Sequence, residues 1–284
     1  MSRWRDSSSG VGGLVVVAKV AAKARRLSRV VLDGLLLPHP ITRTNPTVSH
    51  LGTPYGGWYF VDDPALHQGL VISCGVGEDA SFDIELASIY SSRIILVDPT
   101  PRAMDHVDSV LNRLGQPSHT AYSGDGRQPI EAYDLQRVSE EMLLFVPKAV
   151  AQENGTKPFY APQDETHVSF SLSNRAGTRQ SILVDCISFD ELIDSYANGA
   201  EPALVKLDIE GTEVDVLPQV LRSSPRQVLV EYDILRHRFR ARKAWHKIHS
   251  HCISQGYTLC KTSGFNFTYV RHDVLQAVYD RSYA

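Results

Sequence analysis

Residues 70–101 read LVISCGVGEDASFDIELASIYSSRIILVDPTP, and this stretch decides the fold. Leu70 to Ile72 is a short apolar run that stops at Gly75-Val76-Gly77. Helical spacing then takes over, with Phe82, Leu86 and Ile89 on one face. A second apolar run, Ile94 to Val97, ends at Asp98-Pro99. A strand, a tight turn, a helix and a second strand in that order make a βαβ unit. The two glycines let the backbone turn sharply and come close to a ligand with no Cβ in the way. Asp98 stands 21 residues beyond Gly77, at the end of the second strand. A carboxylate at that place can accept hydrogen bonds from ribose hydroxyls.

A second segment fits the first. Residues 203–217 read ALVKLDIEGTEVDVL, an apolar strand running into an acidic, glycine-containing turn and then a helix. Side chains alternate across a strand, so Lys206 and Asp208 share one face while Val205, Leu207 and Ile209 take the other. A lysine in an otherwise apolar central strand must find a partner or shift its pKa, and Asp208 and Glu210 are the nearest candidates. In doubly wound sheets ligands bind beyond the carboxyl ends of the strands, where Asp208 and Glu210 fall.

Two cofactor classes use this geometry. Gly75 to Ala80 formally matches the dinucleotide fingerprint G-x-G-x-x-G/A, which seats a pyrophosphate on a helix N-terminus. Here that spot carries Glu78 and Asp79, which repel a pyrophosphate, with no nearby Lys or Arg to offset them. S-adenosylmethionine has no phosphate and presents a sulfonium and an ammonium, so an acidic loop suits it better than NAD.

The motifs CGVGEDASFD, VDPTP and LVKLDIEGTE resemble those of the FkbM-type S-adenosylmethionine-dependent methyltransferases. The resemblance extends to the lead-in Tyr55-Gly56-Gly57-Trp58-Tyr59. It also covers a middle segment, Phe159-Tyr160-Ala161-Pro162-Gln163 followed by His167-Val168-Ser169-Phe170-Ser171. It runs from about Tyr55 to Asp233 and rests on the order of five motifs. It implies a Rossmann-like α/β class I methyltransferase fold, with a mostly parallel seven-stranded sheet and an insertion between strands three and four. It also implies methyl transfer, usually to oxygen. The expected cofactor contacts are Gly75, Val76, Gly77, Asp98, Pro99 and Asp125, with Glu78, Asp79 and Asp83 as candidates for the methionine ammonium. Ser73 stands where many methyltransferases outside this branch carry an acid. The expected catalytic groups are Asp208, Glu210 and Lys206, with His167 as an alternative base from the insertion.

The rest of the chain agrees with one catalytic domain and a tail. A length of 284 residues suits one large α/β domain, and a net charge of −3 argues against a nucleic-acid platform. Cys74, Cys186, Cys252 and Cys260 show no metal or disulfide spacing, which points to a reducing cytoplasm. His246, His249 and His251 do not share one helical face, so no metal is expected. Residues 1–40 form a tail with a basic amphipathic helix too interrupted by charge to span a membrane. Its expected role is packing on the domain or on a second subunit as a homodimer, with peripheral membrane contact as the alternative.

Within the domain at 41–284, Pro101 to Leu114 reads as a helix and His119 to Tyr122 as a weak third strand. Residues 124–186 then read as an insertion over the acceptor side, with strands at Leu143–Val146 and Ser181–Val184. Ser188 to Glu191 is a capping box opening the next helix. Gln227 to Tyr232 reads as strand five, and a hairpin near 257–271 closes the sheet. The function classes this supports are an O-methyltransferase acting on a small metabolite or glycan, a nicotinamide oxidoreductase, and a non-catalytic binding relative.

Overall fold

The computed structural model describes residues 47–160, 180–233, 235 and 241–282. These belong to one compact unit, Ile41–Ala284. The tail over 1–40, His167 and the stretch from Ala161 to Ser171 lie outside the described residues.

Seven strands form the main sheet: β3 (Leu70–Cys74), β4 (Arg93–Val97), β5 (Leu143–Val146), β9 (Pro202–Leu207), β10 (Gln227–Glu231), β11 (Tyr257–Ser263) and β12 (Asn266–Arg271). Their spatial order is β11-β12-β10-β9-β3-β4-β5. Six of them point the same way, and β12 is antiparallel to both its neighbours. Helices α1 (Ser81–Tyr90), α2 (Pro101–Leu111), α3 (Phe189–Tyr196), α4 (Glu213–Arg222), α5 (Ala241–Ser254) and α6 (His272–Ser282) connect or flank these strands. The architecture is the Rossmann-like methyltransferase fold. A short hairpin, β1 (Val48–Leu51) with β2 (Trp58–Val61), precedes it. The side chain of Gln227 fixes this hairpin to the sheet, accepting from Val61 N at 2.8 Å and donating to Val61 O at 2.7 Å.

The central strands are apolar on both faces because both faces are covered. Val71, Ile72, Ile94, Ile95, Leu204 and Val205 are fully buried, as expected of parallel strands inside an α/β layer. Helix α1 buries Phe82, Leu86 and Tyr90, while Ile89 is 52 % exposed. Of the expected capping box only the N-cap half forms: the Ser188 hydroxyl accepts from Glu191 N at 3.2 Å, while Ser188 N donates to Asn154 Oδ1 at 2.7 Å and the Glu191 carboxylate accepts from Ser195 Oγ at 2.9 Å.

The third strand is not where the sequence placed it. Residues 119–122 form a loop whose His119 N donates to Glu131 O at 2.8 Å. The strand beside β4 is β5, paired Ile94↔Leu143 through Val97↔Val146. The uninterrupted apolar run Leu143-Leu144-Phe145-Val146 wins the sheet edge over the exposed, polar 119–122. The insertion between strands three and four therefore begins after Val146 rather than at 124. Its described part is a separate three-stranded sheet of β6 (Ala149–Ala151), β8 (Ser181–Ser188) and β7 (Gly155–Tyr160), in that order.

Candidate functional site

Strand order reverses between β3 and β9, so the connections leaving these neighbours diverge and open a crevice at their carboxyl ends. A cavity of about 440 Å³ occupies that crevice. Its walls are the glycine loop, the Asp98–Thr100 turn, the Asp208–Glu210 turn, the start of β6 and the tip of the β11–β12 hairpin. The two sequence motifs meet directly there. Asp208 N donates to Cys74 O at 3.0 Å. A Cβ on Gly75 would lie 1.7 Å from the Asp208 carbonyl oxygen, and Gly75 has φ +83°. Only glycine lets the two turns close to this distance.

Asp98 is 6 % exposed and is fixed by its own turn. Its Oδ1 accepts from Thr100 N at 2.9 Å and Thr100 Oγ1 at 2.7 Å, and its Oδ2 accepts from Gly77 N at 2.9 Å. An ionised carboxylate oxygen has room for two donors, which leaves Oδ2 with acceptor capacity at the cavity wall.

Asp79 has a structural commitment. Its Oδ2 accepts from Thr53 Oγ1 at 2.6 Å and Gln128 Nε2 at 3.1 Å, while Oδ1 accepts from Ser81 N at 3.0 Å. Glu78 pairs with Arg127 Nε at 3.0 Å and lies 3.9 Å from Arg102 Nη1. The expectation that no basic residue stands near the acidic loop is thus corrected. Arg102 comes from α2 and Arg127 from the loop that runs beside Glu78, so chain folding supplies what local sequence lacks. Glu78 Oε2 is nevertheless buried without a hydrogen-bond partner.

The opening of α1 is filled by protein groups. Gly77 N donates to Asp98, Ala80 N to Tyr133 Oη at 3.0 Å, and Ser81 N to Asp79. The Tyr133 hydroxyl also makes a hydrogen bond with His106 Nε2 at 2.8 Å. Burial lowers the His106 pKa, against the opposing charges of Glu78 and Asp79. These N–H groups, which an anion would need, are already engaged.

Lys206 is 3 % exposed and reaches across to β3 rather than along its own strand to Asp208 or Glu210. Its Nζ donates to Gly75 O at 2.7 Å and more weakly to Ser73 Oγ at 3.5 Å, and lies 5.7 Å from the centre of the Trp58 ring. Alternation along β9 places Lys206 over β3, and the carbonyl it meets belongs to the glycine loop. Asp83, 1 % exposed, lies in the same buried pocket of charge. Burial pushes its carboxyl pKa up, against the opposing pull of the Lys206 ammonium and the Ser73 hydroxyl.

The turn after β9 is conformationally unusual. Glu210 has φ +53° and Gly211 φ +107°, so a non-glycine residue occupies the left-handed region at the cavity wall. Gly211 N donates to Glu213 Oε1 at 2.5 Å and holds the turn. Glu213 is 1 % exposed, and its Oε2 has no hydrogen-bond partner. Burial raises its pKa to about 8, and the charges of Asp233 and Asp208 push the same way, while the Gly211 N–H opposes them. The burial of Glu213 comes from packing that local sequence does not reveal.

The structure thus gathers Gly75, Val76, Gly77, Glu78, Asp79, Asp98, Pro99, Lys206, Asp208 and Glu210 at one cavity. Asp83 sits behind the wall rather than in it. Asp125 lies in an exposed turn, its Oδ1 accepting from Ser123 Oγ at 2.8 Å and Arg127 N at 3.1 Å. Its neighbour Gly126 lines the cavity instead. The sequence did not single out Lys148, the hairpin tip or Gln128. Long-range folding brings each of them in from segments that carry no motif. Among the described residues no helix is long and apolar enough to cross a membrane.

Comparison with known proteins places these observations. The profile of the methyltransferase FkbM domain matches residues 53–257. No curated protein matches. Among solved structures that match is one titled "Crystal structure of monomeric WbdD", with 12 % identity and a TM-score of 0.36. The match covers 72 % of this chain and 36 % of that one.

Proposed function

The chain belongs to the FkbM methyltransferase-domain family, and on that premise we propose that it transfers a methyl group from S-adenosylmethionine to a hydroxyl on a small metabolite or glycan. The observation that carries the cofactor choice is the chemistry of the cavity wall. Asp98 Oδ2 offers acceptor capacity there and the Glu78 carboxylate lines the same wall, while the N–H groups of Gly77, Ala80 and Ser81 are occupied. Such a wall fits a ligand that brings hydroxyls and an ammonium, and fits a pyrophosphate poorly.

When bound, S-adenosylmethionine supplies a methyl carbon activated by its sulfonium. Asp98 would hold the ribose, and Glu78 is favoured over Asp79 and Asp83 for the ammonium because it lines the cavity without the three hydrogen bonds that commit Asp79, while Asp83 does not line it. Lys206 sets the glycine loop through the Gly75 carbonyl and acts as a positioning group. Asp208 and Glu210, at the end of β9, are the groups placed to take the proton of an attacking hydroxyl. Four buried cysteines suit a reducing compartment, and the cytoplasm is proposed on that basis.

The test is calorimetric titration with S-adenosylhomocysteine and, in parallel, NAD, on the wild type and on Asp98→Ala. The expected result is binding of S-adenosylhomocysteine alone, weakened about tenfold or more in Asp98→Ala. Binding of NAD alone would overturn the reading.

A further inference from the structure

Tyr55 has no place in the account so far, yet it is among the most heavily anchored features of the cavity. Its side chain is 59 % exposed and lines the cavity rim. The loop that carries it is tied down by buried polar groups. Thr53, Asp79 and Gln128 are 2 %, 7 % and 3 % exposed and bond to one another through Asp79 Oδ2. Thr53 Oγ1 accepts from Tyr55 N at 3.2 Å and Gly56 N at 2.9 Å, while Thr53 N donates to Ser81 Oγ at 2.9 Å. Gly52 N donates to Glu85 Oε2 at 2.8 Å. A Cβ on Gly56 would lie 2.6 Å from Asp79 Cγ, so the loop lies flat against that carboxylate. On the far side, a Cβ on Gly126 would lie 2.4 Å from the Tyr55 ring.

Three separate chain segments therefore converge to hold one aromatic ring in place with much of it still exposed. Burying three polar side chains is favourable only when all are satisfied, and each of these three has its partners in the network. A rigid aromatic surface at a cavity mouth is preorganised for a planar apolar ligand face, because its ordering cost is met before binding. The glycine loop and the Asp98 turn line the same cavity.

We propose that Tyr55 is a binding residue for the nucleoside of the cofactor, and that Thr53, Asp79 and Gln128 are positioning residues that hold its ring at the rim. This rests on the methyltransferase reading and assigns Asp79 to the latch rather than to the ammonium.

The test uses calorimetric titration of the full chain with S-adenosylhomocysteine, with thermal melts to verify folding. Tyr55→Ala is expected to weaken binding about tenfold, the scale of one aromatic–base stack. Thr53→Val, which removes the latch hydroxyl, and Gly126→Ala, which pushes the ring from the other side, are each expected to weaken it about threefold or more. Neither is expected to add a further loss in the Tyr55→Ala background, since both act through the ring. Wild-type affinity in folded Tyr55→Ala would overturn the assignment of Tyr55. Equal losses from Thr53→Val and Gly126→Ala with and without Tyr55 would overturn the latch. Failure of the wild type to bind S-adenosylhomocysteine would sink the cofactor reading, and this assignment with it.

Discussion

The two turns that face each other across the cavity are built in opposite ways. In the turn after β3, the polar groups that shape the backbone are paired: Asp98 with Gly77 and Thr100, Asp79 with Thr53, Gln128 and Ser81, Lys206 with Gly75. In the turn after β9, a glutamate sits at positive φ, and the carboxyl that holds the turn is buried with one oxygen unbonded. The first is a finished cradle whose geometry is fixed before any ligand arrives. The second stores conformational strain and a displaced protonation equilibrium, the combination expected where groups must respond during a reaction.

The sharpest way to break the first turn is Gly75→Ala. The new Cβ would meet backbone, not a side chain that can move, at a residue already in the left-handed region. A loss of about 3 kcal/mol or more in denaturant unfolding is expected. Gly77→Ala shares the positive φ, but nothing lies within 4 Å of its Cβ. It should cost only about 1–2 kcal/mol. Equal losses would show that backbone conformation, and not the approach of the two motifs, controls the cradle.

The second turn is probed by proton linkage. The carboxyl of Glu213 ionises near its ordinary 4.5 in the unfolded chain and near about 8 in the folded one. Between those values the folded state holds the extra proton, so this group's contribution to stability falls as pH rises, by at most about 1.4 kcal/mol per pH unit, and levels off above the folded pKa. Asp83, also raised, acts in the same direction. Glu213→Gln keeps an acceptor for Gly211 N–H and removes the titration. Its unfolding free energy should therefore fall less steeply from pH 5 to 8 than that of the wild type. Parallel pH profiles would mean that Glu213 is not protonated in the folded protein.

The smallest expected effect is a gain. Glu210→Gly relieves the left-handed strain and should stabilise the protein by up to about 1 kcal/mol. The same change should lower methyl transfer once an acceptor is in hand. A stabilised variant with unchanged turnover would leave Asp208 as the base of choice.

Much of this contrast could be read from local sequence, and its limits have a physical cause. The glycine loop, Asp98 and the Asp208–Gly211 turn announce themselves because backbone turns and strand ends require particular residues at particular spacings. The Ser188 N-cap is legible for the same reason, although the reciprocal bond of a full capping box is replaced by one to Asn154. The third strand was misplaced because edge pairing is a competition between distant segments, which Leu143–Val146 wins through its apolar run. Arg127 beside Glu78, the Lys206–Gly75 bond and the buried state of Glu213 depend on contacts between segments that no periodicity connects. Charge was thus legible as composition, but not as arrangement.

The reversal in strand order also sets a timetable for synthesis. Strand β3 pairs with β4, a near neighbour in the chain, and with β9, where Lys206 and its partner Gly75 are 131 residues apart. At translation rates of about 5–20 residues per second, β3 leaves the ribosome roughly 10 s or so before the strand that covers its other edge. During that interval a strand that is fully buried in the finished fold has one open side, which makes this the stage at which a chaperone or a misplaced edge strand can compete for it. The cleft opens only when β9 docks beside β3, and its wall is completed later still, by the tip of the β11–β12 hairpin.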